Sequence, residues 1–64
     1  MLEIKIRRIP RGWATHKLAL YEDGYLIDAM NYMDYTRREM LRDFKARTGI
    51  RGKHGVKIID LTRR

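Results

Sequence analysis

Apolar and charged residues alternate from the start of the chain, with Leu2, Ile4 and Ile6 separated by Glu3, Lys5 and Arg7. A period of two with β-branched residues predicts a half-buried first strand. Pro10 and Gly12 end it, and Arg11–Trp13 becomes a loop. A second strand is expected over about Thr15–Tyr21, followed at once by Asp23-Gly24. Asp-Gly between strand-formers is a strong hairpin signal, because both turn positions need positive φ. Regular pairing across that turn sets Leu20 opposite Ile27 and Leu18 opposite Ala29, all on one face. Lys17, Ala19, Tyr21, Leu26, Asp28 and Met30 then share the other face.

The period changes after residue 35. Thr36-Arg37-Arg38-Glu39 fits a capping box, and Tyr35 and Met40 are spaced for a hydrophobic staple. Gly49 stands where a left-handed helix stop belongs, with Ile50 able to fold back on Phe44. Between these signals Met40, Leu41, Phe44 and Thr48 make one apolar stripe. A last strand, Val56–Leu61, is apolar on both sides, as a central strand would be. The pattern predicts an α+β fold, a small antiparallel sheet with one helix packed on one face, in the order β-β-β-α-β. A competing parse starts a helix near Tyr25, because Leu26, Met30, Met33, Met40 and Phe44 also fall at helical spacing. It would give β-β-α-α-β. The Asp-Gly turn and the strand-formers Tyr25, Ile27 and Tyr32 favour the hairpin.

Length fixes the scale of this fold. Sixty-four residues make one domain, residues 1–64. A domain this small buries only about 60% of the surface its unfolded chain exposes. No cysteine is present, so neither disulfides nor thiolate–metal bonds can staple it. Stabilisation by a partner or by a second copy, as a homodimer, is therefore an expectation. No apolar run is long enough for a membrane span or a secretory leader, so a cytoplasmic location is expected.

The formal charge of +7 is unevenly spread. Residues 1–17 hold five basic groups and one acid, a net of +4. Residues 18–36 hold no basic group and four acids (Glu22, Asp23, Asp28 and Asp34), a net of −4. Residues 37–64 hold ten basic groups and three acids, a net of +7. A field of this kind attracts polyanions and also suits docking on acidic protein surfaces.

Catalytic chemistry finds little support. The two histidines, His16 and His54, are too few and too far apart for a zinc site. With neither Cys nor Ser, only four threonines could act as nucleophiles, and Thr36 is explained as a cap. Asp23 belongs to the turn, and Asp28 reads as a solvated strand residue. No enzyme activity, cofactor or metal is expected.

The basic residues are more informative. At about 100° per residue, Arg38, Arg42 and Lys45 share one helix flank. Glu39 and Asp43 lie on the other, with Arg47 one turn beyond Asp43. Arg37 and Arg38 occupy the first turn, where the helix dipole disfavours cations by a few tenths of a kcal/mol. After the helix, Gly49-Ile50-Arg51-Gly52-Lys53-His54-Gly55 spaces three glycines among cations, with Lys57 just beyond. Backbone N–H groups in such a loop can approach an anion. It is no P-loop, since the GxxxxGK[ST] pattern is missing. Trp13 sits in a first basic loop with Arg7, Arg8 and Arg11, where its ring could stack on a base or complete the core.

Through the Asp23-Gly24 turn and the Thr36–Glu39 helix start, the middle of the chain resembles two groups of DNA binders. They are the sheet-plus-helix domains with which phage integrases bind arm-site DNA, and the AP2-type domains. The resemblance implies a three-stranded sheet facing DNA with the helix behind it. The acidic hairpin departs from that pattern and directs the expectation to the helix flank and the loop after it.

The expected function is non-catalytic nucleic-acid binding through phosphates. Contacts are expected from Arg38, Arg42 and Lys45, from Arg51, Lys53 and Lys57, and from Arg7, Arg8 and Arg11, with stacking by Trp13. The alternative is a small protein-interaction modulator, encoded by a phage or mobile element, that docks on a host protein. Its motives are the bipolar charge and the apolar residues on both sheet faces.

Overall fold

The computed structural model describes residues 1–12 and 14–62. Four strands and one helix follow in the order β1 (Leu2–Arg8), β2 (His16–Glu22), β3 (Tyr25–Tyr32), α1 (Arg37–Thr48) and β4 (Lys57–Asp60). The hairpin parse is therefore the observed one, and residues 25–32 are strand. Asp23 and Gly24 both take positive φ, at 50° and 87°, as the tight turn requires.

The sheet is mixed rather than antiparallel, with strand order β3-β2-β1-β4. β1–β2 and β2–β3 pair antiparallel, while β4 pairs parallel to β1. Topology explains the difference. β3 runs parallel to β1, and the crossover through α1 brings β4 back in that same direction, a connection long enough for parallel pairing. β4 is thus an edge strand, not the central one its apolar run suggested. Val56 and Ile58 turn to the core, whereas Leu61 is exposed just past the strand end. Its amide continues the ladder to the Ile6 carbonyl at 2.9 Å.

The hairpin register also departs from regular pairing. Glu22–Tyr25 and Tyr21–Leu26 pair as the turn dictates, but an irregularity at Leu20/Tyr21 skips Ile27. Beyond it Leu20 faces Asp28, Ala19 faces Ala29 and Leu18 faces Met30. A one-residue slip exchanges the faces of everything downstream. Met30 and Tyr32 consequently join Leu18 and Leu20 on the core side, and Ala29 and Asn31 move to the opposite face.

The helix starts and stops where its caps dictate. Thr36 Oγ1 accepts from the Glu39 amide at 3.2 Å, and Glu39 Oε1 accepts from the Thr36 amide at 2.9 Å. Gly49 is left-handed at φ 76° and donates to the Ala46 carbonyl, while Ile50 donates to that of Lys45. These two bonds form a Schellman stop. Tyr35 does not bury itself as a staple; its ring packs edge-on against Tyr32 at 5.2 Å and stays exposed.

One core results. Ile4, Ile6, Leu18, Leu20 and Tyr32 from the sheet meet Met40, Phe44 and Ile50, with Leu2, Met30, Leu41, Val56 and Ile58 around them. Tyr32 is the polar member, and its hydroxyl donates to Asp43 Oδ2 at 2.7 Å. α1 covers this face alone.

Candidate nucleic-acid interface

The sheet divides the expected contact residues between its two sides. Arg38, Arg42 and Lys45 lie on α1, on the helix side, with Arg51 and Lys53 exposed in the loop that follows it. Arg7 and Lys57 lie on the opposite, open side, as strand alternation and pairing with Lys17 and Glu3 require. Arg8 closes β1 opposite His16, and Arg11 is exposed in the loop after it. Trp13 lies outside the described residues. The nine described residues therefore do not form one surface.

Each group has a local cause. On α1 the cap fixes where the helix begins, and that sets its flanks. Arg37 turns to β4 and pairs with Asp60 at 3.1 Å, so its place in the first turn has a structural reason. Arg47 pairs with Asp43 at 2.9 Å, one turn away. Arg38, Arg42 and Lys45 form no ion pair with a described carboxylate. In the loop, Gly49, Gly52 and Gly55 all have positive φ, and the Lys53 amide donates to the Ile50 carbonyl at 3.0 Å. Arg51, Lys53 and His54 are exposed around that turn.

The open face has a composition of its own. Register places Glu3, Lys5 and Arg7 of β1 beside Tyr21, Ala19 and Lys17 of β2. Leu26, Ala29 and Asn31 of β3 follow on one side, and Lys57 and Ile59 of β4 on the other. One row across the sheet reads Arg7, Lys17, Asn31. Lys5 lies over the Tyr21 ring, its Nζ 4.5 Å from the centroid. No helix or strand among the described residues packs on this face.

Lys5 and Lys17 are contact candidates the sequence reading passed over. The alternation Glu3-Lys5-Arg7 carried the signal, since residues between buried positions must share the other face. The acidic hairpin, moreover, does not occupy that face. Asp23, at the tip, pairs with the N-terminal amine. Glu22 pairs with Leu2 and Asp28 with Leu20, on the core side of the sheet, and Asp34 follows β3. Glu3 is the one acid of the open face among the described residues.

Three carboxylates are held below their usual range by the bonds they accept. The Tyr32 hydroxyl does this for Asp43, with Arg47 adding to it. The Thr36 backbone and hydroxyl act on Glu39, and Thr62 with Arg37 on Asp60. Burial, with help from Asp43, pushes the Tyr32 phenol well above its usual value. All four groups hold the fold together. No group of three or more His, Cys, Asp or Glu converges among the described residues, and no pocket opens there. His16 shares a 3.0 Å bond with the Thr15 hydroxyl. No described helix is long and apolar enough to cross a membrane.

Comparison with protein-family models, with curated proteins and with solved structures gives no match.

Proposed function

We propose that this chain is a non-catalytic nucleic-acid-binding module that engages phosphates through its unpaired cations. One observation carries the reading. The described ion pairs consume Arg37, Arg47 and the N-terminus, and leave Arg7, Arg8, Arg11, Arg38, Arg42, Lys45, Arg51, Lys53 and Lys57 without a carboxylate within 4.0 Å. Cations that stabilise a fold find acids; cations kept free and clustered raise the local potential for a polyanion. Phosphate contacts release counterions, so affinity falls steeply as salt rises. Fluorescence anisotropy with labelled DNA and RNA at low salt tests this directly. Undetectable binding to both ends the proposal.

A second reading has its own support. β3 is an exposed edge strand with a single charge, Asp28, and its first residues are open to solvent, Tyr25 at 77%, Leu26 at 59% and Ile27 at 55%. An unprotected edge with apolar side chains suits a protein partner, a host protein or a second copy. Capture of a partner that survives nuclease and high salt would favour this reading over the first.

A further inference from the structure

We infer that the open sheet face, at the end carrying Arg7, Lys17 and Asn31, is the surface that receives the backbone of double-stranded DNA. The inference rests on the nucleic-acid reading above and chooses between the two basic sides of the sheet. Its first support is an unfavourable contact. Arg7 and Lys17 stand directly opposite each other on neighbouring antiparallel strands, and neither has an acid within ion-pair distance. Like charges in that position destabilise a sheet, so their juxtaposition contributes nothing to the fold. A phosphate between them removes the repulsion and accepts from both.

The surroundings extend the same chemistry. Asn31 sits beside Lys17 and can donate its amide to a phosphate or sugar oxygen. Lys5 lies one row further along the same face. Arg11 is exposed in the loop that leaves this end of β1. Ala19, which is buried, and Ala29 share the row of Lys5 and add no bulky side chain, so a ligand meets the exposed Arg7, Lys17 and Asn31 first. Glu22 and Asp23 sit at the opposite end of β2 and Asp28 behind the sheet; Asp34, two residues past Tyr32, is the one hairpin acid at the Arg7–Lys17–Asn31 end, and it forms no ion pair with either cation. On the helix side, by contrast, Arg42 is near enough to Glu39 to help stabilise its carboxylate, and part of its charge is already used.

The same face disfavours single strands. Binding of unpaired bases relies on free aromatic faces. Tyr21 is the one aromatic that register places on this face among the described residues, and the Lys5 ammonium already lies over its ring. Cations and an amide with no free stacking platform among the described residues suit a duplex, whose bases are covered and whose phosphates are presented in regular rows.

Two variants and two probes decide the matter. The sheet variant is Arg7→Gln with Lys17→Gln; the helix variant is Arg38→Gln with Arg42→Gln. Each is titrated against a duplex of about 20 base pairs, and against its separated strands, between about 50 and 200 mM salt. The sheet variant should lose roughly tenfold or more in duplex affinity, and its log–log salt slope should fall by about 2. The helix variant should lose clearly less of both than the sheet variant. A thermal melt of the sheet variant at or above that of the parent shows that folding is intact. Loss in the helix variant alone, or tighter binding of a single strand than of the duplex, overturns this inference and leaves the nucleic-acid reading standing. Absence of binding by the parent protein to every probe overturns that reading, and this inference with it.

Discussion

The two faces of the sheet are built from the same strands and have opposite characters. Ile4, Ile6, Leu18 and Leu20 are buried under the helix, while on the other face Arg7 and Lys17 are exposed and Lys5, half-buried, lies over the Tyr21 ring. Alternation along a strand makes this division automatic, because each residue turned to the core sends its neighbours outward. One face carries the stability of the domain. The other is free to carry charge that stability does not require. The comparison teaches that a small sheet with a single helix has a spare face by construction, and that its composition reports on what the protein meets.

Breaking the covered face should cost most. Phe44 is fully buried at the centre of the core, and Phe44→Ala should destabilise the protein by about 3–5 kcal/mol in urea denaturation. For so small a domain that approaches the whole of its stability, so an unfolded variant at room temperature is the expected result. Tyr32→Phe keeps the ring and removes the bond to Asp43; about 1 kcal/mol should be lost, again read in urea.

Acid sharpens the contrast further. Asp43, Glu39 and Asp60 all have folded-state pKa values below their usual ones, so their contribution is full above about pH 4–5 and lost as pH falls through the folded values. Thermal melts between pH 7 and about pH 2 should show stability declining only at the acid end. Glu39 is exposed and Asp43 and Asp60 are only partly covered at the surface, so the decline should be modest and should shrink in high salt. Tyr32→Phe should weaken it, since the first cause of the Asp43 shift is then gone. The smallest effect belongs to the open face. Lys17→Gln should leave stability unchanged or raise it by a few tenths of a kcal/mol, through relief of the Arg7 repulsion. A clear loss of stability there would mean that the open face is part of the structure after all.

Much of the fold was legible in the chain because its signals are local. The capping box at Thr36, the glycine stop at Gly49 and the Asp23-Gly24 turn each fix backbone geometry through neighbours a few residues away. The stripe through Met40 and Phe44 needed only the helical period. The candidate site was less legible. Strand alternation assigned Arg7 to a face, but nothing along the chain told which cations would meet across strands. The helix flank drew attention because sequence spacing alone groups its cations, whereas Arg7 and Lys17 are ten positions apart and become neighbours only through the β1–β2 ladder.

The sequence by itself determined the elements, their order and the segregation of charge into basic, acidic and basic segments. Tertiary structure alone decided the rest. The irregularity at Leu20/Tyr21 skips Ile27 and carries Asp28 away from the face it would otherwise share with Lys17, Ala19 and Tyr21. The crossover through α1 sets β4 beside β1, which brings Lys57 to that same face. The physical reason is register. A strand's side chains have a period of two, so one skipped residue exchanges the faces of those beyond it, and the selection depends on how Met30 and Tyr32 pack against the helix rather than on any local preference of the chain.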